Sequence, residues 1–206
     1  HEKERQMDTG HRVFDAGAFS GRLWKNDRYS STAEQEIPSQ NQIVVGVSQL
    51  GSESMWRTAN SASIQQALCK ENGYFLLFNN ARQKQENQIK AVRSFIAQGV
   101  DAIFIAPVVA TGWEPVLKEA KDAEIPVFLL DRSIDVKDKS LYMTTVTADN
   151  ILEGKLIGDW LVKEVNGKPC NVVELQGTVG ASGAIDRKKG FAEAIAKASN
   201  IKIIRS

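Results

Sequence analysis

The sequence predicts an α/β protein built on a doubly wound parallel sheet. Three observations carry that expectation. First, residues 85–107 read as an amphipathic helix, a one-turn exit at Gly99 and a buried strand ending at Pro107. Ile89, Val92, Phe95 and Ile96 fall at helical spacing. Ala102 to Ala106 is an unbroken apolar run, as a strand covered on both faces requires. Second, the pattern returns: Trp113, Val116, Leu117 and Ala120 mark a helix, and Pro126 to Leu130 a strand. Third, that strand ends in Asp131-Arg132, and the carboxyl ends of buried parallel strands are where open α/β sheets bind small ligands.

The other elements follow in order. Residues 1–41 mix charges of both signs, glycine, serine and scattered aromatics with no sustained period, and Ser30 to Ser39 reads as a linker. The expectation there is an irregular tail or stalk, with Phe14, Phe19 and Trp24 as the residues able to dock. From Gln42 the order is strand (Ile43 to Ser48), loop (Gly51, Ser52, Glu53), helix (Ser54 to Glu71) and strand (Tyr74 to Phe78). A helix at Ile89 to Ile96, a strand at Ile103 to Ile105, a helix at Trp113 to Ala123 and strands at Val127 to Leu130 and Leu141 to Val146 complete a five-stranded set. Such βα alternation favours right-handed crossovers in one sheet.

A second unit is expected from Ala148-Asp149-Asn150, with Asn150 capping a helix that runs to Val165. That helix carries Gly154 and Gly158, a spacing read here as letting a helix lie close to a sheet. A strand (Asn171 to Leu175), a glycine loop (Gly177, Gly180, Gly183), a helix with Phe191 and Ile195, and a strand (Ile201 to Ile204) follow. Two or three strands make a poor sheet, so this unit reads as unfinished. The expected division is 1–41 tail, 42–148 first lobe and 149–206 partial second lobe.

Composition narrows the function. Of 206 residues, 42% are hydrophobic and 25% charged, ordinary for a globular chain. A net charge of +1 argues against nucleic acid or anionic membrane as partner. No apolar run is long enough to span a bilayer, and no basic start with an apolar core marks a signal peptide. Cys69 is placed in the first helix and Cys170 at the start of a strand. Their spacing matches no zinc or redox motif, so buried free thiols are expected. The only histidines, His1 and His11, lie in the tail, which leaves none in 42–206 for acid–base work or metal binding. With no nucleophile–base set and no metal cluster, the expectation is no enzyme, no cofactor and no metal site.

Two clusters stand out as candidate ligand groups. Glu53, Trp56 and Arg57 leave the first strand. Trp56 either offers its flat face to the C–H face of a sugar, with Arg57 and Glu53 on hydroxyls, or packs into the core while Arg57 is solvated. Asp131 and Arg132 pair an acceptor-only with a donor-only group, which suits adjacent hydroxyls that both give and take; the alternative is a surface ion pair. The glycine loop 177–183 has neither dinucleotide nor P-loop spacing and reads as a strand-to-helix turn. The run Asp186 to Lys189 is a charged helix face from which Arg187 could look back across a cleft.

Five blocks carry a resemblance: Gln83 to Lys90, Pro107 to Trp113, Leu129 to Arg132, Val173 to Thr178 and Ala184 to Phe191. Over residues 42–206 the chain resembles the type I periplasmic sugar-binding proteins of ABC importers, the ribose- and galactose-binding group, and within it the galactofuranose-binding members. The match is closest after Lys84; residues 42–83 look more like sugar-sensing ectodomains. The resemblance implies two α/β lobes that close on a hinge over one monosaccharide. It matches Glu53, Trp56 and Arg57 to the first ligand loop, Asp131 and Arg132 to the ring-hydroxyl pair, Arg187 to the second lobe's arginine and Asp149 to the hinge. It also implies that the family continues beyond residue 206, with a later cysteine able to pair with Cys170. The expected function is extracytoplasmic or periplasmic capture of a galactofuranose-like sugar by a monomer that serves an ABC permease. The alternatives are a membrane-anchored sensor signalling to a kinase, with 1–41 as stalk, and the effector core of a lac-repressor-like regulator. The last needs a helix-turn-helix that the tail does not show.

Overall fold

The computed structural model describes residues 38, 39 and 41–206. The expected tail, with Phe14, Phe19 and Trp24, lies almost wholly outside them. Five parallel strands form the first sheet: β1 (Ile43–Gln49), β2 (Tyr74–Asn80), β3 (Ala102–Ile105), β4 (Val127–Leu130) and β5 (Thr144–Val146), in the order β2-β1-β3-β4-β5. Helices α1 (Met55–Ala67), α2 (Gln85–Ala97) and α3 (Glu114–Asp122) connect them. The order reverses at β1, and strands β1 and β3 flank the crevice where such sheets bind ligands.

Register explains which face is the core. Gly46 pairs with Ile103, which pairs with Val127; Ser48 pairs with Ile105, which pairs with Leu129. These positions face α2 and α3, where Val92, Phe95, Trp113, Val116 and Leu117 bury against them. Gly46 is required there, because a Cβ would sit 2.5 Å from Phe95 Cγ. The opposite face carries Phe104 and Phe128, whose rings stack at 4.8 Å and which stay half-buried. Gln49, fully buried, ties α1 to this face by donating to Asn60 Oδ1 at 2.9 Å and Ser61 Oγ at 3.2 Å.

A two-stranded parallel sheet, β6 (Cys170–Val173) and β7 (Ile201–Arg205), makes up the second unit with α4 (Asn150–Val165) and α5 (Ser182–Ile195).

Several local expectations are revised. The first helix ends at Ala67, and Cys69 lies beyond it, before a 3-10 turn at Lys70–Asn72. Both cysteines are free and half-exposed rather than buried. Residues 139–141 form a 3-10 turn, since Asp138 Oδ1 accepts from the Ser140 amide at 2.9 Å, so β5 begins only at Thr144. Asp149, not Asn150, caps α4: its Oδ1 accepts from the Leu152 amide at 2.9 Å. Gly154 and Gly158 meet a helix, not a sheet. A Cβ on Gly154 would lie 2.0 Å from Arg187 O, and one on Gly190 would lie 1.9 Å from Ile151 O. Three glycines thus bring α4 and α5 to backbone contact.

Candidate functional site

The carboxyl ends of β1 and β4 bring two sequence clusters together. Ser54 Oγ accepts from the Arg57 amide at 3.1 Å, starting α1 immediately after β1 and its loop. This cap aims the Arg57 side chain back at the sheet edge. There Arg57 Nε donates to Glu53 Oε1 at 3.2 Å and Nη2 donates to Asp131 Oδ2 at 2.5 Å. Arg57 is 3% exposed and Trp56 is 57% exposed, the reverse of a core tryptophan beside a solvated arginine. The Arg57 guanidinium lies 4.8 Å from the Trp56 ring centroid, a cation–π distance. The indole therefore stands beside the ion pair with much of its surface open.

Asp131 is held in an unusual backbone. Its φ is +64°, and the Arg132 amide donates to Leu130 O at 2.7 Å, which closes a three-residue turn around it. A side-chain-bearing residue in this region costs about 1–3 kcal/mol. Two bonds hold it there: the Asp131 amide donates to Val146 O at 2.7 Å, and the Thr147 hydroxyl donates to Asp131 O. The turn re-aims the carboxylate from the strand axis toward Arg57.

Arg132 serves a different partner. Its Nη1 donates to Val108 O at 3.0 Å, and its Nε lies 3.8 Å from Asp131 Oδ2. Burial, and next the Arg57 charge, lower its pKa from the ordinary arginine value, opposed by Asp131 and Glu53. An arginine remains charged in any case. Arg132 therefore fixes the loop after β3 as well as bordering the site.

Arg187 and Asp149 stand apart from the cluster. Arg187 Nε donates to Glu153 Oε2 at 2.6 Å, and its charge is felt at Arg132. Arg132, Glu153 and Arg187 border an open groove of about 940 Å³, otherwise lined mainly by second-unit residues such as Leu156, Val173 and Phe191. Asp149 ends the crossing segment as the α4 cap. Among the described residues no group of three or more His, Cys, Asp or Glu is placed to hold a metal ion, and no helix is long and apolar enough to cross a membrane.

Sequence reasoning missed Gln88. It is fully buried; its Nε2 donates to Ala106 O at 2.7 Å and Ser48 O at 3.3 Å, and its Oε1 accepts from the Val108 amide at 2.8 Å. One side chain thereby joins the ends of β1 and β3 under the site. The signal was present: Gln88, Ala91, Val92 and Phe95 fall at i, i+3, i+4 and i+7, so a polar residue sits on the apolar face.

Among the described residues Arg57 Nη1 is the buried side-chain donor left without a partner. The site thus combines an unmatched donor, two carboxylates and an open indole face.

Comparison with known proteins places the fold. The chain is 80% identical over 164 residues to the galactofuranose-binding protein YtfQ of Escherichia coli (strain K12), a match covering 80% of this chain and 51% of that protein. The arabinose transporter's periplasmic binding protein from Shewanella sp. ANA-3, bound to α- and β-L-arabinofuranose, is 58% identical with a TM-score of 0.73, covering 79% of this chain and 53% of that one. A Mycobacterium smegmatis protein in complex with β-D-fucofuranose is 50% identical with a TM-score of 0.76, covering 80% and 54%. The chain spans about half the length of these relatives. A family model described as a periplasmic binding protein domain matches residues 43–206. On that match, and on the parallel-sheet fold that it shares with these relatives, the chain belongs to the periplasmic binding protein domain family.

Proposed function

We propose that this chain captures a monosaccharide in its furanose form, outside the cytoplasm, for uptake by an ABC permease, and that it does so as a monomer without chemical turnover. The observation that carries the reading is Arg57, buried between Glu53 and Asp131 with Nη1 unpartnered and its guanidinium over the ring of the largely exposed Trp56. A buried donor left unmade costs about 1–3 kcal/mol, and a sugar hydroxyl relieves that cost once the side chains that enclose Nη1 part to admit it. The carboxylates accept from the same hydroxyls, and the indole covers the apolar face of the ring. Asp131 and Arg132 orient the ring, Arg187 approaches from the second unit, and Asp149 lies at the hinge between the two lobes, residues 42–148 and 149–206. The three relatives above are described by galactofuranose, arabinofuranose and fucofuranose, which favours a five-membered ring. Identity favours the importer over the sensor: 80% to the galactofuranose-binding protein against 30% to a fructose-binding periplasmic domain of a hybrid two-component system.

Calorimetric titration of the 206-residue chain with galactofuranose, arabinofuranose and ribose tests this. The two furanoses are expected to bind, though more weakly than micromolar, because a two-stranded second unit offers few polar groups to close over the ring. Asp131→Ala should abolish the heat while leaving the circular dichroism unchanged. Undiminished binding by Asp131→Ala would remove the site from this cluster.

A further inference from the structure

Two hydrogen bonds join the second unit to the ligand edge of the first. The Ala110 amide donates to Gly180 O at 2.9 Å, and the Ser133 amide donates to Ser182 Oγ at 2.9 Å. Val109 lies against Gly180, where a Cβ would meet its Cγ1 at 3.3 Å. The acceptors are two residues apart in one turn. The donors lie on separate loops, but those loops are braced together: the Asp135 amide donates to Ala110 O at 2.8 Å, and Arg132 Nη1 donates to Val108 O at 3.0 Å.

Ser182 is the informative member. It opens α5 and is 5% exposed. A serine beside a helix start usually caps its own helix. Here α5 has no side-chain cap, and the hydroxyl accepts instead from the loop that carries Asp131 and Arg132. Ser133 lies two residues beyond Asp131, so this bond fixes the exit of the strained turn.

We propose that Ser182 is a positioning residue whose hydroxyl latches the second unit onto the Asp131–Arg132 loop, so that opening of the cleft breaks the Ser133 and Ala110 bonds together. The latch acts through Ser133 and not on the ligand. It rests on reading this cleft as the sugar site, but the test needs no sugar, so its failure is separable from a failed titration.

Amide hydrogen exchange, read by NMR on the labelled 206-residue chain, decides it. In the unaltered protein the Ser133 and Ala110 amides should be protected, open with one shared free energy and respond alike to low denaturant. Ser182→Ala should accelerate both by a common factor of roughly 3 to 10, as loss of a single hydrogen bond allows, while amides in β3 keep their rates. Acceleration at Ser133 alone, or at neither, overturns the proposal. Should Ser182→Ala fail to fold, the unaltered protein still decides: separate opening energies at the two amides overturn the latch.

Discussion

The five-stranded unit and the two-stranded unit use the same βα grammar and reach different ends. In the first, α2 and α3 cover a sheet whose strands interlock by register, and Trp113, Leu117, Ile103 and Leu129 are wholly buried. In the second, α4 and α5 meet each other through Gly154, Gly158 and Gly190, while Leu156, Ile157 and Trp160 remain more than half exposed. The difference is the number of strands. Five strands give two α helices a broad floor; the two strands of this chain's second unit leave much of α4's apolar surface open. Stability is therefore expected to be uneven, with the second unit opening before the first.

The largest effect should come from Gln88→Leu. The Val108 amide and Ala106 O would lose their side-chain partner in a dry interior, at about 1–3 kcal/mol for each group left unpaired. Urea unfolding of the first unit should shift accordingly, and its Trp113 signal should follow. An unchanged midpoint would show that β1 and β3 are joined without this side chain. Gly190→Ala comes next and should act in the second unit. Overpacking against Ile151 O costs about 1–3 kcal/mol or more. The Trp160 indole resonance should move or broaden while that of Trp113 stays; movement of both would mean that the two units fold as one.

The smallest effect is electrostatic. A side-chain hydrogen bond from Arg93 lowers the Glu119 pKa from its ordinary 4.5, and bonds from Ser140 lower that of Asp138 from 3.8. Both carboxylates ionise more readily folded than unfolded. Their contribution is present above the unfolded pKa and is lost as pH falls through the lowered folded value. Both are exposed, so the loss should be slight and fade in salt. It should appear in the urea midpoint of the first unit; a first-unit midpoint that rises on acidification would contradict the sign.

The legible parts of the sequence were those set by period. The alternation of Ile89–Ile96 with Ile103–Ile105, and of Trp113–Ala120 with Val127–Leu130, gave the parallel sheet directly. The charges at the ends of β1 and β4 gave the cluster that the fold brings together, Glu53, Trp56, Arg57, Asp131 and Arg132. What period does not encode was left open or misread. The choice between an exposed Trp56 and a core Trp56 beside a solvated Arg57 depends on the Asp131 turn, a positive-φ residue that no apolar pattern announces. The α4–α5 contact depends on glycine pairing across helices far apart in sequence, and the Gly154 spacing alone suits a sheet as well as a helix. Asp149 and Asn150 are both good caps, and only the backbone decides between them.

The proposed sugar site is the first unit's Arg57–Asp131 cluster, with Trp56 beside it. The most direct measurement is an NMR titration of the 206-residue chain with galactofuranose, following the indole signals of Trp56, Trp113 and Trp160 and the Nε–H of Arg57. Trp56 and Arg57 should shift along one shared binding curve while Trp113 and Trp160 hold still. Shifts confined to Trp160 and the groove beneath α4 would move the sugar to the second unit, and none at any sugar concentration would remove it from this chain.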